Sequence, residues 1–345
     1  MKKTQTDQSD AKSGSCQHKT TIGGQALIEG LMMIGPEKKA MAVRRPNGEI
    51  ELEEMALSAF SGAANWPFVR GSIRIFRQLV SGTKALLKSA ELSEEFAPSE
   101  DEQASGQSAS EAATAGFWKR IGKSIDRFLE NHSELAMYGS TVLALLMSVV
   151  LFFLLPNLIV SLFTQLLHIN SAESGRGVVI VMNLAEGLIR IIILLIYLKL
   201  ANRMKEMKRV WMYHGAEHKT IACYEDRKPM TVDNVRQYSR FHPRCGTAFL
   251  FIVILISIIV FSFVGWWSRW INLLIRFALV PVVAGIAYEI IRLAGRYDNK
   301  FTRLISKPGL LMQRLTTAEP DDSMLEVAIV ALNAVIPLRG DRDQW

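Results

Sequence analysis

His214 and His218 stand four residues apart in "WMYHGAEHKTIACYEDRK" (Trp211 to Lys228), with Glu217 beside the second histidine and Cys223 five residues further on. At 3.6 residues per turn both imidazoles share one helical face and can converge on a single cation. Two ligands do not complete a site, and a tetrahedral zinc centre takes three or four. "FHPRCGTAF" supplies His242 and Cys245, whose His-x-x-Cys spacing lets both bind from one tight turn, with Gly246 admitting a close backbone approach. His214, His218, His242 and Cys245 are therefore the candidate ligands of a divalent metal, zinc first. Glu217 completes "HGAEH", an H-x-x-E-H pattern in which the carboxylate takes a proton from water in inverted zinc peptidases. The pattern is partial, because the distal glutamate and soluble substrate cleft of those peptidases are not evident. The ordinary alternative is a charged loop in which Glu217 pairs with a nearby lysine or arginine. Cys223 reads as a buried, inert thiol that could substitute for Cys245, and His18, His132 and His168 have no matching partners.

The elements around this loop are apolar. The chain has 345 residues, 49% of them hydrophobic, and the apolar residues concentrate in blocks at 135–167, 177–200, 247–267 and 273–295. Each block is long enough to cross a hydrocarbon layer of ~30 Å as a helix. The expected fold is mainly α, a four-helix transmembrane bundle with amphipathic cytoplasmic helices and a small N-terminal antiparallel β module. No apolar run follows Lys2 and Lys3, so a cleaved secretory signal is not expected and the first span acts as the insertion signal. Three cysteines are too few for a disulfide framework and fit a reducing, cytoplasmic face.

Lys and Arg set the orientation. Arg203, Lys205, Lys208, Arg209, Lys219 and Arg236 crowd the loop after the second span, whereas the loop between the first two offers only Arg176. The His/Cys loop, 201–246, is then cytoplasmic. Lys119 to Arg127 before the first span, and Arg296 to Lys307 after the fourth, place both termini on the same side, with an outside turn near Ser268 to Asn272. The formal charge of +7 implies attraction to anionic inner-leaflet lipid rather than to nucleic acid, for which there is no motif.

Outside the membrane domain (117–295), residues 1–20 and the Ser/Glu/Ala-rich stretch 93–116 read as disordered. Residues 21–92 read as a cytoplasmic module: a small sheet with a hairpin turn at Asn47-Gly48, then a basic amphipathic helix. Val69, Ile73, Phe76, Leu79, Val80 and Leu86 form its apolar stripe, for burial in the membrane interface or against the membrane domain. The glycines Gly23, Gly24, Gly30 and Gly35 match no phosphate-binding loop. In the C-terminal region, 296–345, a short helix is expected to break near Pro308-Gly309. "PDDSMLEVAIVALNAVI" follows as an acid-capped helix that docks on the cytoplasmic module or a partner. Within the spans, Glu186 with Arg190 and Glu289 with Arg292 are spaced as ion pairs, to hold the bundle or serve function.

In this order, "GGQALIEGLMMIGP", "AVRRPNGEI", "YHGAEHKTIACYE", "FHPRCGTAFL" and "DDSMLEVAI" resemble the YqhQ family of bacterial membrane proteins of unknown function. The resemblance runs from about Gly23 to Ile336, the acidic spacer excepted. It implies a bacterial inner-membrane protein, a conjectured metal-dependent enzyme, and a signature containing Glu29, Gly30, His214, Glu217, His218, Arg244, Cys245 and Gly246. Ile34 departs from the basic residue that family members often carry there. Two functions compete. One is a membrane-bound metal hydrolase acting on a lipid headgroup or membrane-protein segment, with Glu217 or Glu29 as proton acceptor. The other is a non-enzymatic membrane-biogenesis factor, in which a structural metal or polar clamp supports contacts with lipid, a translocase or a ribosome. Transport is a distant third. A closed four-ligand site favours the factor, and an open position beside a glutamate favours hydrolysis.

Overall fold

Strands β1 (Gly23–Leu27), β2 (Gly30–Ile34), β3 (Lys38–Arg44) and β4 (Ile50–Ala56) pair in sequence order as an antiparallel meander in the computed structural model. Leu31, Met33, Ala40 and Ala42 alternate with Met32, Met41 and Val43, so both faces of β2 and β3 are apolar and both must be covered. The two-residue turn between β1 and β2 places Glu29 at φ 49°, and the β3–β4 loop turns on Gly48 at φ 87°, where the sequence predicts it. The structure describes residues 19–57, 62–93, 133–168, 175–264, 269–297, 299–337 and 343. The expected tail up to residue 18, the spacer from 94 onward, the basic residues Lys119 to Arg127, His132 and Ser268 lie outside them, and the rest of the turn expected at Ser268 to Asn272 is helical from Arg269.

Helix α1 (Val69–Ser93) covers one face of the sheet through Ala85 and also packs on a long apolar helix. It buries its small residues Gly71, Gly82, Ala85, Ser89 and Ser93, and leaves Phe76, Leu79 and Val80 exposed. The apolar stripe read from the sequence is therefore the outward face. After α1 come α2 (Ser133–Val149) and α3 (Leu155–Leu166), joined by a π-helical turn, Val150–Leu154, and then α4 (Arg176–Ala201). Next are α5 (Lys205–Glu225), the short α6 (Val232–Arg236), α7 (Gly246–Ser262) and α8 (Arg269–Arg296). The last two are α9 (Lys300–Thr316) and α10 (Asp322–Val335).

Among the described residues, three helical stretches are long and apolar enough to cross a membrane: Val142–Leu166, Arg176–Ala201 and Ile271–Ala294. The expected fourth falls short. Helix α7 has 17 residues, about 25 Å: it begins at Gly246, where the expected block begins, but ends at Ser262, five residues before that block does. It packs between α4 and α8. Nor does Pro308 break α9, which runs through it from an Asn299–Thr302 capping box.

Helix α10 docks on β2 and β3 through Met324, Leu325, Ala328 and Leu332, with Asp321 capping its start by accepting from the Met324 N–H at 3.0 Å. It also packs on α5, which is buried on every side from Tyr213 to Ile221. Such burial of a polar helix needs partners for its charges. It also needs close backbone approach. A Cβ on Gly215 would overlap the Ala318 carbonyl oxygen. Gly215→Val is therefore expected to destabilise the fold by about 1–3 kcal/mol. Thermal unfolding in detergent would show this as a lowered midpoint, and an unchanged midpoint would refute the close packing.

Candidate metal centre

Helical spacing on α5 brings the His214 and His218 rings to 4.4 Å between centroids, and the turn before α7 delivers Cys245 to them. The three ligand atoms lie within 4.8 Å of one another, and all three residues are buried. His214 Nδ1 is 2.7 Å from the Thr316 carbonyl oxygen, and His218 Nδ1 is 2.6 Å from that of Arg240. A carbonyl can only accept, so both Nδ1 atoms carry a proton and Nε2 is the atom that each ring turns inward. Histidines that ligate metals are oriented in this way by a second hydrogen bond. His214 Nε2 lies 3.1 Å from Cys245 Sγ. Among the described residues, His218 Nε2 is buried with no hydrogen-bond partner. An orphaned imidazole nitrogen beside a sulfur and a second nitrogen fits the N/S donor set of Zn²⁺.

The electrostatics favour a thiolate. Burial alone would push the Cys245 thiol up, but the His218 charge and the His214 hydrogen bond hold it well below its usual value. Burial likewise opposes a charged His214, yet Cys245 and Glu217 raise its pKa to about 9. Glu217 moves upward because burial outweighs the neighbouring histidines, and its carboxylate accepts from the Gly24 N–H. A Cβ on Gly24 would come within 2.9 Å of the Glu217 carboxyl carbon and 2.7 Å of the Met32 oxygen, so glycine is what lets β1 close over the site.

His242 does not join the cluster. Its Nε2 turns to Glu225 Oε2 at 3.4 Å, and Arg244 pairs with the other Glu225 oxygen. Burial holds His242 below its ordinary value, while His242 and Arg244 hold Glu225 low against its own burial. The turn is fixed by α9. The His242 N–H donates to Gln313 Oε1 at 2.8 Å, and Gln313 Nε2 donates back to the His242 carbonyl at 2.7 Å. Glu29 is also elsewhere: its carboxylate clamps Arg209 and accepts from Tyr213 Oη at 3.3 Å, tying the β1–β2 turn to α5. Cys223 is buried with its sulfur 3.9 Å from the Pro229 oxygen, outside the cluster. Glu217, His218, His242, Arg244 and Cys245 share the wall of a cavity of ≈ 320 Å³, and His214, Glu217, Trp211 and Cys245 face a second of ≈ 240 Å³.

The family described as "Protein of unknown function (DUF1385)" matches residues 66–338, which include all three clustered residues. The chain belongs to this family. An uncharacterized protein, YqhQ, from Bacillus subtilis (strain 168) is 34% identical over 326 residues, covering 93% of this chain and 94% of that one. No solved structure matches. Within this DUF1385 member the YqhQ relative extends the likeness over the β module, which the family match from residue 66 does not include.

Of the two expected pairs in the apolar helices, Glu186 with Arg190 forms and Glu289 with Arg292 does not. Glu186 meets Arg190 at 3.0 Å, and Arg276 of α8 joins the same carboxylate oxygen. Glu289 pairs not with Arg292 but with Arg70 of α1, in a two-pronged contact at 2.7 and 2.5 Å. Helical spacing pointed to the neighbour three residues on, but α1 packing against α8 brings a guanidinium whose planar fork fits both oxygens. Arg276 was legible as an arginine inside an apolar run, and Glu225 as the residue two turns beyond His218.

Proposed function

We propose that this chain is a membrane-inserted, metal-dependent hydrolase whose centre is held by His214, His218 and Cys245 at the inner face of the bilayer. The observation that carries the reading is a three-donor cluster with an orphaned His218 Nε2 beside a buried glutamate, on the wall of a cavity. With His242 drawn to Glu225, the described ligands number three rather than four, the count that leaves a position for substrate chemistry. When bound, Zn²⁺ supplies Lewis acidity. Glu217 supplies the proton chemistry: its carboxylate takes a proton from water as the water oxygen bonds to the electrophilic centre, then passes that proton to the leaving group. Its upward-shifted pKa suits a group that must both accept and donate. The Gly24 N–H orients the carboxylate, and Thr316 and Arg240 hold the imidazoles. The basic residues around α5 and the cluster's place beyond the apolar helices support a cytoplasmic orientation in a bacterial cell membrane, with both termini inside.

One observation favours the second reading, a structural clamp without chemistry. His214 already bonds Cys245 directly at 3.1 Å, so an imidazole–thiolate pair alone could fasten the turn before α7 to α5. Elemental analysis and complementation separate them. The hydrolase reading expects about one zinc per chain, and a Glu217→Gln protein that folds, keeps its metal and fails to complement a deletion strain. Metal-free wild-type protein, or full complementation by Glu217→Gln, would sink it.

A further inference from the structure

Three cavities in this structure share walls and together run from the His/Cys cluster to an apolar groove. The ≈ 320 Å³ and ≈ 240 Å³ cavities have Gly24, Gln78, Glu217, Cys245 and Gly246 in common. Gln25, Gln78 and Gly246 then pass into a larger space of ≈ 560 Å³ between α1, α7 and α8. That space is lined by Ile75, Leu79, Leu86, Phe249 and Ile291, and its size is that of a site for a drug-sized ligand. We infer that the path holds a phospholipid, its phosphate-bearing headgroup at the His/Cys end and one acyl chain in the groove. The inference rests on the metal-centre reading only for what happens to the headgroup.

Polarity along the path follows that of a lipid. At the inner end, Arg244 is anchored to Glu225 and keeps Nε buried without a hydrogen-bond partner among the described residues, a charged donor suited to a phosphate oxygen. Gly246, the first residue of α7, borders all three cavities and brings the electropositive end of that helix to the same place. Midway, Gln78 donates to Gln25 at 3.2 Å, so two carboxamides stand where polar contacts give way to apolar ones, the level of a lipid's ester groups. Gln25 reaches this position because Gly82 of α1 has no side chain, and a Cβ there would overlap the amide. At the outer end the walls are α1 and the span Ile271–Ala294, with Tyr288 and Ile291 near the end of that span. There α1 exposes Phe76, Leu79 and Val80, with Arg77 and Lys84 nearby in sequence to meet anionic headgroups. A hydrophilic peptide would leave this stripe and the groove unmatched, whereas an acyl chain satisfies both.

The test uses the full chain in nanodiscs of phosphatidylethanolamine and phosphatidylglycerol containing trace phosphatidylglycerol with a diazirine in its acyl chain. Irradiation should label Phe249 and Ile291. Leu79→Trp, at a position already 54% exposed, fills the groove without touching the cluster. It should cut that labelling by about fivefold or more, while Leu188 and Ile192 on the exposed side of α4 label as before. Thr83→Trp, one turn along α1, should do the same. Equal labelling of Phe249 and Ile291 in wild type and both variants overturns the inference, as does preferential labelling by a photoreactive apolar peptide. Zinc measured on the same samples keeps the two readings apart. Metal-free protein that still labels in the groove supports the lipid path and defeats the metal centre, and metal-loaded protein without groove-specific labelling defeats the lipid path alone.

Discussion

Cys245→Ser is expected to weaken zinc binding by more than about 100-fold, whereas His242→Ala should change it by less than about threefold. The contrast follows from where the two side chains of "FHPRCG" point. Cys245 brings the only sulfur of the cluster, held as a thiolate against its burial by both histidines, and a serine hydroxyl would have to ionise at a far higher cost. His242 faces Glu225 and has its backbone pinned by Gln313, so its loss disturbs its contact with Glu225 and leaves the donors in place. Competition against a chromophoric chelator measures both. Equal losses in the two variants would show that His242 swings in as a fourth ligand, and the open-site argument for hydrolysis would fall with that result.

Spacing along one helix was the most legible feature of the site. "HGAEH" could be read as two imidazoles on one face because i and i+4 meet whenever the segment is helical. What spacing could not carry was competition from residues far along the chain. His242 is turned by Gln313, 71 positions away, and Glu289 is taken by Arg70, 219 positions away. Each rival partner is an ordinary polar residue until the helices pack. Likewise the apolar stripe of α1 was visible, but its direction was decided by Gly71 and Gly82, whose missing side chains let α8 and Gln25 approach more closely than any larger residue would. The small faces were therefore buried and the large apolar face was left outside. The sheet followed from the short stretches flanking the Asn47-Gly48 turn, whose chemistry is local. The number of helices long enough to span did not, since it depends on α7 ending at Ser262.

Glu186→Ala should destabilise the protein by about 3–5 kcal/mol, more than any other single change in the apolar helices. Glu186, Arg190 and Arg276 are all buried, and one carboxylate oxygen serves both guanidinium groups. The surrounding acceptors are uncharged. Arg190 Nε donates to the Phe152 carbonyl at 2.8 Å, an acceptor that Pro156, four residues on, cannot satisfy because it has no N–H. Arg276 Nη2 donates to Asn183 Oδ1 at 2.8 Å, and the Phe261 ring lies 5.8 and 5.6 Å from the two guanidinium carbons. Removing the carboxylate takes from two like charges in an apolar bundle the negative charge that they share, and burying charge without its counter-charge is the costly direction. Arg276→Met should be far milder, because it leaves one carboxylate with one guanidinium, the neutral Glu186–Arg190 pair. Thermal unfolding in detergent, with the amount of protein recovered from membranes, would give the order: Glu186→Ala lowest, Arg276→Met near wild type. The reverse order would mean that the second arginine, rather than the carboxylate, anchors the bundle.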